Sequence, residues 1–272
     1  MEYWLLLPAF TMMALMALTH SYLGIHILAR GIIFADLALA QIAALGASIA
    51  FLMGEDAHGS SAGFYAFAAT FVAAALFSQL RRIEDNTTRE VAIGVAYVVS
   101  TALSVVILSR SSQGMEELKS IFNGNILWVS WDDIGVVAAT YALVSIIHIV
   151  YRRAFSQLSF GDASRKPNYL WEFFFFLSFA VVITVAVRIA GVLLVFAFLI
   201  IPAFSASLVK PNYRTRLWIA FLMGLAGALM GLYVAFVLDL PVGATVVSLL
   251  GLLPLLALVL RIFIRGNNVH RQ

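Results

Sequence analysis

The chain has 272 residues, of which 62% are hydrophobic and only 11% are charged, and its mean hydropathy is +0.98. Its apolar residues lie in long runs, which exclude a soluble domain and differ from the short alternating segments of an outer-membrane barrel. A polytopic α-helical membrane protein is the class that remains, because helices satisfy their own backbone hydrogen bonds in lipid.

The distribution of charge, the absence of cysteine and the absence of common motifs exclude several kinds of function. The net charge of +3 does not indicate a nucleic-acid partner, since the basic residues sit in loops between apolar runs. The chain has no cysteine, which excludes disulfides and thiolate metal ligands. No Walker A or HExxH pattern occurs, so the sequence offers neither a nucleotide-binding loop nor a zinc-protease motif of these kinds.

The hydropathy pattern predicts an all-α bundle of about nine transmembrane helices in a single domain, residues 1–272. Two of the runs meet near Arg188 with almost no loop, so an eight-helix count is the alternative. The predicted spans are Tyr3–Leu28, Ile32–Met53, Ala62–Leu80, Val91–Leu108, Ile134–Tyr151, Tyr169–Val187, Ala190–Val209, Leu217–Leu238 and Pro241–Ile264.

The positive residues predict the orientation of these spans. Fourteen of the 17 Lys and Arg residues fall in one alternating set of loops and at the C-terminus, and the other set holds only Arg110, Lys119 and Arg188. By the positive-inside rule the rich set is cytoplasmic. We therefore expect an N-terminus outside and a C-terminus in the cytoplasm, which requires an odd number of spans.

Polar residues inside the first two spans are candidates for a translocation path. Asp36 and Gln41 lie within the second apolar run, and His20 lies deep in the first. An ionisable group in hydrocarbon costs a few kcal/mol, so such groups usually face a bundle interior or a water-filled path. The alternative for Asp36 is a carboxylate that caps the helix or snorkels to the membrane surface. The alternative for His20 is a hydrogen bond to a neighbouring helix.

Helix geometry separates the two polar residues of the second span. Asp36 and Gln41 are five positions apart, which is about 140° around a regular helix. They do not share a face, so a joint metal site needs a local distortion or ligands from other helices, such as His20.

The longest cytoplasmic loop, about residues 152–170, has a mildly apolar centre between basic flanks. This pattern is typical of a short interfacial docking helix, and a plain basic connector has the same composition.

Several segments together resemble the membrane permeases of metal-ion ABC importers, the family that takes up zinc, manganese or iron. The resemblance runs in order from about Arg30 to Pro254. It rests on Arg30, Phe34, Asp36, Leu39-Ala40-Gln41 and Leu45-Gly46; on Val91–Gly94; on Ser120–Leu127 with Val129-Ser130; on Phe160-Gly161-Asp162-Ala163; and on Gly191–Leu194 with Leu199–Ala203.

The resemblance implies a bacterial inner-membrane protein with a fold similar to that of corrinoid and siderophore importers. It implies a homodimer in the lipid bilayer, with the path between the two copies. It also implies a cytoplasmic ATP-binding subunit docked near Phe160, Gly161, Asp162 and Ala163, and an extracytoplasmic solute-binding protein. The chain itself would bind no cofactor and would not be an enzyme, since ATP would be hydrolysed on the partner subunit.

The sequence departs from the family pattern at the expected metal ligands. In the family, an aspartate and a histidine stand four residues apart in this span. Here Gln41 takes the histidine position, and alignment through Leu39-Ala40 puts Leu37 where the aspartate belongs. Glutamine is a weaker zinc ligand than imidazole. Asp36 stays the best candidate ligand. Either the ion passes with looser coordination, or the cargo is different, such as a chelated metal.

The sequence therefore predicts the permease of an ABC importer, with a divalent metal ion as cargo. A chelated metal or another small solute is the alternative cargo. An ATP-independent secondary transporter is the alternative mechanism, for which the sparse buried charges and the lack of a convincing inverted repeat give little support. A non-transporting membrane scaffold is the third hypothesis.

Overall fold

The computed structural model describes residues 6–55, 60–83, 85–110, 113–161, 168–209 and 212–269. These residues form eleven α-helices and two short 3-10 turns at Leu80–Arg82 and Ile126–Trp128. The helices are α1 Leu7–Arg30, α2 Ala35–Leu52, α3 Ser60–Gln79, α4 Asn86–Leu108, α5 Gly114–Asn123, α6 Trp131–Val150, α7 Arg152–Phe160, α8 Tyr169–Val209, α9 Tyr213–Leu238, α10 Val242–Leu250 and α11 Leu253–Val269. The predicted all-α membrane bundle is confirmed.

Local sequence signals set several helix boundaries. Gly31 adopts a left-handed conformation (φ 64°) and its N–H bonds the carbonyls of Ile27 and Leu28, which ends α1. The Asp85 carboxylate accepts hydrogen bonds from two backbone N–H groups at the start of α4. The Thr88 hydroxyl also donates a hydrogen bond to this carboxylate, and that bond is the largest reason that the pKa of Asp85 is lowered. The two backbone bonds lower it further. Ser130 and Asp133 form a capping box at the start of α6.

Helix α8 is a hairpin of two membrane-spanning segments. Its 41 residues contain one non-helical residue, Gly191, with φ 76° and ψ 160°. Near one end of α1, the Arg30 guanidinium lies 4.1 Å from the Phe175 ring centroid, and Gly24 packs against Ala203. Residues 24 and 30 are about 9 Å apart along α1, whereas 175 and 203 would be about 42 Å apart in a continuous helix. The chain therefore reverses at Gly191.

This reversal settles the number of spans in the described part of the chain. Eight helical stretches there are long and apolar enough to cross a membrane, with α8 counted once and α10 joined to the first part of α11. Because α8 crosses twice, the described residues hold nine spanning segments. The nine-span map is correct, and the near absence of a loop at Arg188 reflects the tight turn at Gly191.

Helix α1 lies at the centre of the bundle. It packs against α6, α7, α8 and α9, while α2 packs against α3, α4 and α8. Its buried residues occur on all sides of the helix, as expected for an apolar helix surrounded by others. In contrast, α4 exposes a row of valines along its outer face: Val91, Val95, Val98 and Val106. Polar residues on α1 are therefore enclosed by protein, which is where the candidate site lies.

Candidate functional site

Asp36 lies in the first turn of α2 with no solvent exposure. Neither of its carboxylate oxygens has a hydrogen-bond partner among the described residues. The residue that caps α2 is Phe34, without a side-chain cap bond. Asp36 therefore neither caps the helix nor snorkels to the surface, which excludes the alternative for its position, and its role in a translocation path stays a prediction. An unpaired buried carboxyl group costs several kcal/mol, so a fold keeps one only for a reason outside packing.

His20 lies ten residues before the end of α1 and is also fully buried. Its Nδ1 lies 3.1 Å from the carbonyl oxygen of Met16, and a carbonyl oxygen only accepts, so Nδ1 donates. This bond fixes the tautomer and leaves a lone pair on Nε2, which has no partner within the described residues. An imidazole held by its Nδ1–H with Nε2 free is in the state that binds metal ions.

Tyr141, in the middle of α6, joins these two residues and was missed by the sequence analysis. Its ring centroid lies 5.7 Å from that of His20, and only 2% of the residue is exposed. Its hydroxyl has no hydrogen-bond partner in the described part of the chain. The Asp36 carboxylate contributes to the electrostatic environment of this hydroxyl. A tyrosine in mid-span, away from the membrane interface where tyrosines usually lie, was the available signal.

Gln41 is buried, and its Nε2 has no partner among the described residues. Helix α2 runs without a break from Ala35 to Leu52, so the distortion that a joint site with Asp36 would need is not present. Asp36 and Gln41 project about 140° apart from this helix. The sequence-based separation of the two residues therefore holds in the fold.

The unpartnered groups Asp36, His20 and Tyr141 supply one carboxyl group, one imidazole nitrogen and one phenol oxygen from three helices. The described residues contain no group of three or more His, Cys, Asp or Glu side chains that could hold a metal ion. A mixed set of this kind offers few strong ligands to a cation and does not match a closed structural site.

Helix α7 forms the first half of the long loop between α6 and α8, so this segment is helical as predicted, and its docking role stays a prediction. It is anchored by Phe155, which is fully buried and stacks on His148 with ring centroids 3.9 Å apart. Phe160 is 44% exposed, with its ring 5.3 Å from those of His26 and Tyr213. Gly161 follows it, exposed. Asp162 and Ala163 lie outside the described residues.

A buried ion pair joins the ends of α1 and α8 on the same side of the bundle. Arg30 donates a hydrogen bond to Glu172, and Arg81 lies 3.6 Å from the other oxygen of that carboxylate. The Arg30 guanidinium also lies over the ring of Phe175. Arg30 belongs to the family pattern, but its partner Glu172 could not be identified from the sequence.

Comparison with known proteins identifies the family. The model of the ABC 3 transport family matches residues 2–261, almost the entire chain. The chain belongs to this family. The manganese transport system membrane protein MntC of Listeria innocua is 27% identical over 256 residues, covering 91% of this chain and 87% of the relative. A protein named "Probable iron transport system membrane protein" from Haemophilus influenzae is 26% identical over 173 residues, 62% of each chain.

The solved structure of PsaBC from Streptococcus pneumoniae in complex with Fab has the same fold. It superposes with a TM-score of 0.75 at 19% identity and covers 94% of this chain and 91% of that one. As a member of the ABC 3 family, the chain is the multi-span permease of a bacterial ABC transporter, a protein of the inner membrane. The predicted family and fold are confirmed.

Proposed function

We propose that this permease imports a divalent metal ion, and that Asp36, His20 and Tyr141 contact the ion as it passes. The observation that carries this proposal is a set of buried polar atoms that have no hydrogen-bond partner among the described residues: both Asp36 oxygens, His20 Nε2 and the Tyr141 hydroxyl. A cation that binds them would supply the missing partner and compensate part of their burial cost.

Manganese is the cargo that this ligand set favours. Oxygen ligands suit Mn²⁺, whereas additional imidazoles favour zinc. Gln41 stands where the family pattern has a histidine, so the span offers an amide in place of a second imidazole. The relatives named for manganese and iron transport support a metal ion of this class. Gln41 contributes at most a weak oxygen ligand from a different face of α2.

The transport cycle requires partners that this chain does not contain. We place a cytoplasmic ATP-binding subunit against α7 and the following residues, with Phe160, Gly161, Asp162 and Ala163 in contact, and a solute-binding protein on the opposite face. The permease is a homodimer with its N-terminus outside and its C-terminus in the cytoplasm, and residues 1–272 act as one domain. The concentration of basic residues in one set of loops supports this orientation.

Metal accumulation in cells tests the cargo and the site together. Cells that lack their own uptake system receive the wild-type chain with its partners, or the variants Asp36→Ala and Gln41→His. We expect Asp36→Ala to abolish manganese uptake and Gln41→His to shift preference toward zinc. Ser48→Ala is the matched control, because Ser48 is buried in the same helix but bonds only its own backbone at Ala44. Normal manganese uptake by Asp36→Ala would show that the site is wrong.

Reconstitution tests the energy source separately. In liposomes that contain the permease and its ATP-binding subunit, the metal-loaded binding protein should stimulate ATP hydrolysis, and Phe160→Ala should reduce that stimulation. Metal transport driven by an ion gradient without the ATP-binding subunit would instead support a secondary carrier. Uptake that requires a chelator would identify a chelated metal as the cargo.

A further inference from the structure

A cavity of about 970 Å³ lies at the end of the bundle where α7 is found, and neither Asp36 nor Tyr141 lines it. We call it the α7 cavity. Segments of α1, α6, α7 and α9 form its walls, and its volume is at the upper end of the range of sites that take drug-sized ligands, about 300–1,000 Å³. Its apolar walls include Leu18, Val144, Ile149, Leu217, Trp218 and Phe221.

The polar atoms deep in the α7 cavity are already paired. His26 Nδ1 lies 2.7 Å from the Ser159 hydroxyl. His148 bonds the Tyr22 hydroxyl at 3.0 Å through Nδ1 and the Ser178 hydroxyl at 2.8 Å through Nε2. Since these imidazole nitrogens are occupied, the cavity does not present the free lone pairs that a metal ion needs. It differs in this respect from the site at His20.

The mouth of the cavity carries positive charge. Arg152, Arg153 and Arg214 line it, and all three are exposed. Among the described residues that line the cavity there is no Asp or Glu. An occupant that matches this surface carries negative charge at one end and an apolar body behind it.

The cavity opens on an apolar surface of the bundle. Ile149 is 67% exposed and Trp218 is 63% exposed, and the neighbouring Ile146 and Leu222 are exposed to a similar degree. In a membrane-spanning bundle such residues face acyl chains, and a tryptophan near a basic helix end marks the headgroup level. Basic pockets between spanning helices recognise anionic lipid headgroups.

We propose that the α7 cavity binds one anionic phospholipid, with its phosphate at the three arginines and an acyl chain along the apolar walls. The lipid would contact α7 beside Phe160 and Gly161. Each arginine near an anionic lipid contributes about fivefold in affinity. Removal of two should weaken binding by at least about tenfold.

Lipid retention by the purified full-length chain tests the proposal. The chain is loaded with phosphatidylglycerol or phosphatidylcholine, washed in detergent, and analysed by native mass spectrometry. We expect one tightly retained phosphatidylglycerol and no retained phosphatidylcholine. The double variant Arg153→Gln/Arg214→Gln should lose the lipid, whereas Arg82→Gln/Arg261→Gln, with the same charge change outside the cavity, should keep it. Ser145→Trp, which fills the cavity wall, should also displace the lipid.

Four results would overturn the proposal. Equal retention of the two lipids, or retention by Arg153→Gln/Arg214→Gln at the wild-type level, would show that the arginines do not select a headgroup. Displacement of phosphatidylglycerol by millimolar inorganic phosphate would show a site for a free anion. Loss of affinity for the ATP-binding subunit in the arginine variant, with lipid retention unchanged, would assign this surface to that subunit. The arginines are exposed, so the variant should fold.

Discussion

Arg30 and Glu172 form a buried ion pair that ties the end of α1 to the start of α8. Their side chains are only 4% and 1% exposed. Removal of one partner of a buried pair leaves the other charge uncompensated, at a cost of about 3–5 kcal/mol. We therefore expect Glu172→Ala to lower the free energy of unfolding by about this amount, measured by denaturant titration in detergent micelles.

The double variant Arg30→Met/Glu172→Met separates charge from packing in this pair. Because both charges are gone, we expect it to be more stable than Glu172→Ala alone. If the double variant is less stable than Glu172→Ala, the pair acts through its shape and not through its charge.

Replacement of Tyr141 by Phe should separate stability from transport. The variant removes a buried hydroxyl without a partner, so the free energy of unfolding should stay the same or rise by up to about 1 kcal/mol. If the hydroxyl contacts the ion, manganese uptake should fall by roughly tenfold. Thermal stability and uptake are measured on the same preparation, and a drop in both together would indicate a structural role for Tyr141.

Gly191 should not tolerate a side chain. Its φ of 76° with ψ of 160° lies in a region that only glycine occupies readily, and a Cβ there would lie 2.8 Å from the Cα of Gly124. Gly191→Ala should therefore cost at least about 2 kcal/mol through strain and overpacking. Gly94→Ala is the matched control, since Gly94 lies inside α4 with open space around it and should gain about 0.5–1 kcal/mol. Equal effects at the two positions would contradict the tight turn.

Phe155 should hold α7 on the bundle. It is fully buried between His148 and Trp171. Truncation of such a side chain costs about 3–5 kcal/mol, so Phe155→Ala should release α7, with faster hydrogen exchange across Arg152–Phe160. Ser156→Ala, at the exposed neighbouring position, should change stability by less than about 0.5 kcal/mol. Unchanged exchange in Phe155→Ala would mean that other contacts anchor the helix.

The membrane class, the nine spans and the family were predictable from the sequence because each depends on local patterns. A helical apolar run of about 20 residues matches the thickness of a bilayer, so each such run indicates one span. The family motif at Gly191–Leu194 includes the residue at which α8 reverses. The short interval at Arg188 already indicated that two spans follow each other with almost no loop. The composition of residues 152–170 favoured a short helix such as α7, but the anchor of that helix on His148 was not predictable.

The candidate site was predictable only in part. Asp36 and His20 stand out as polar residues in apolar runs, and the angle between Asp36 and Gln41 follows from helix geometry alone. Tyr141 lies more than 100 residues further along the chain, and no spacing rule relates it to His20. The same holds for Glu172 and Arg30, because both contacts depend on which helices become neighbours.

The sequence alone thus determined that the chain is a bundle of about nine membrane spans and that Asp36 and His20 lie in them, since hydropathy and helix period are local properties. Only the tertiary structure decided which polar atoms stay without a partner. The carbonyl of Met16 pairs with one nitrogen of His20, the other has no partner in the part of the chain that the structure describes, and Tyr141 of α6 lies beside the ring. Whether a buried polar group is paired depends on every helix around it, and that information is not contained in any single segment.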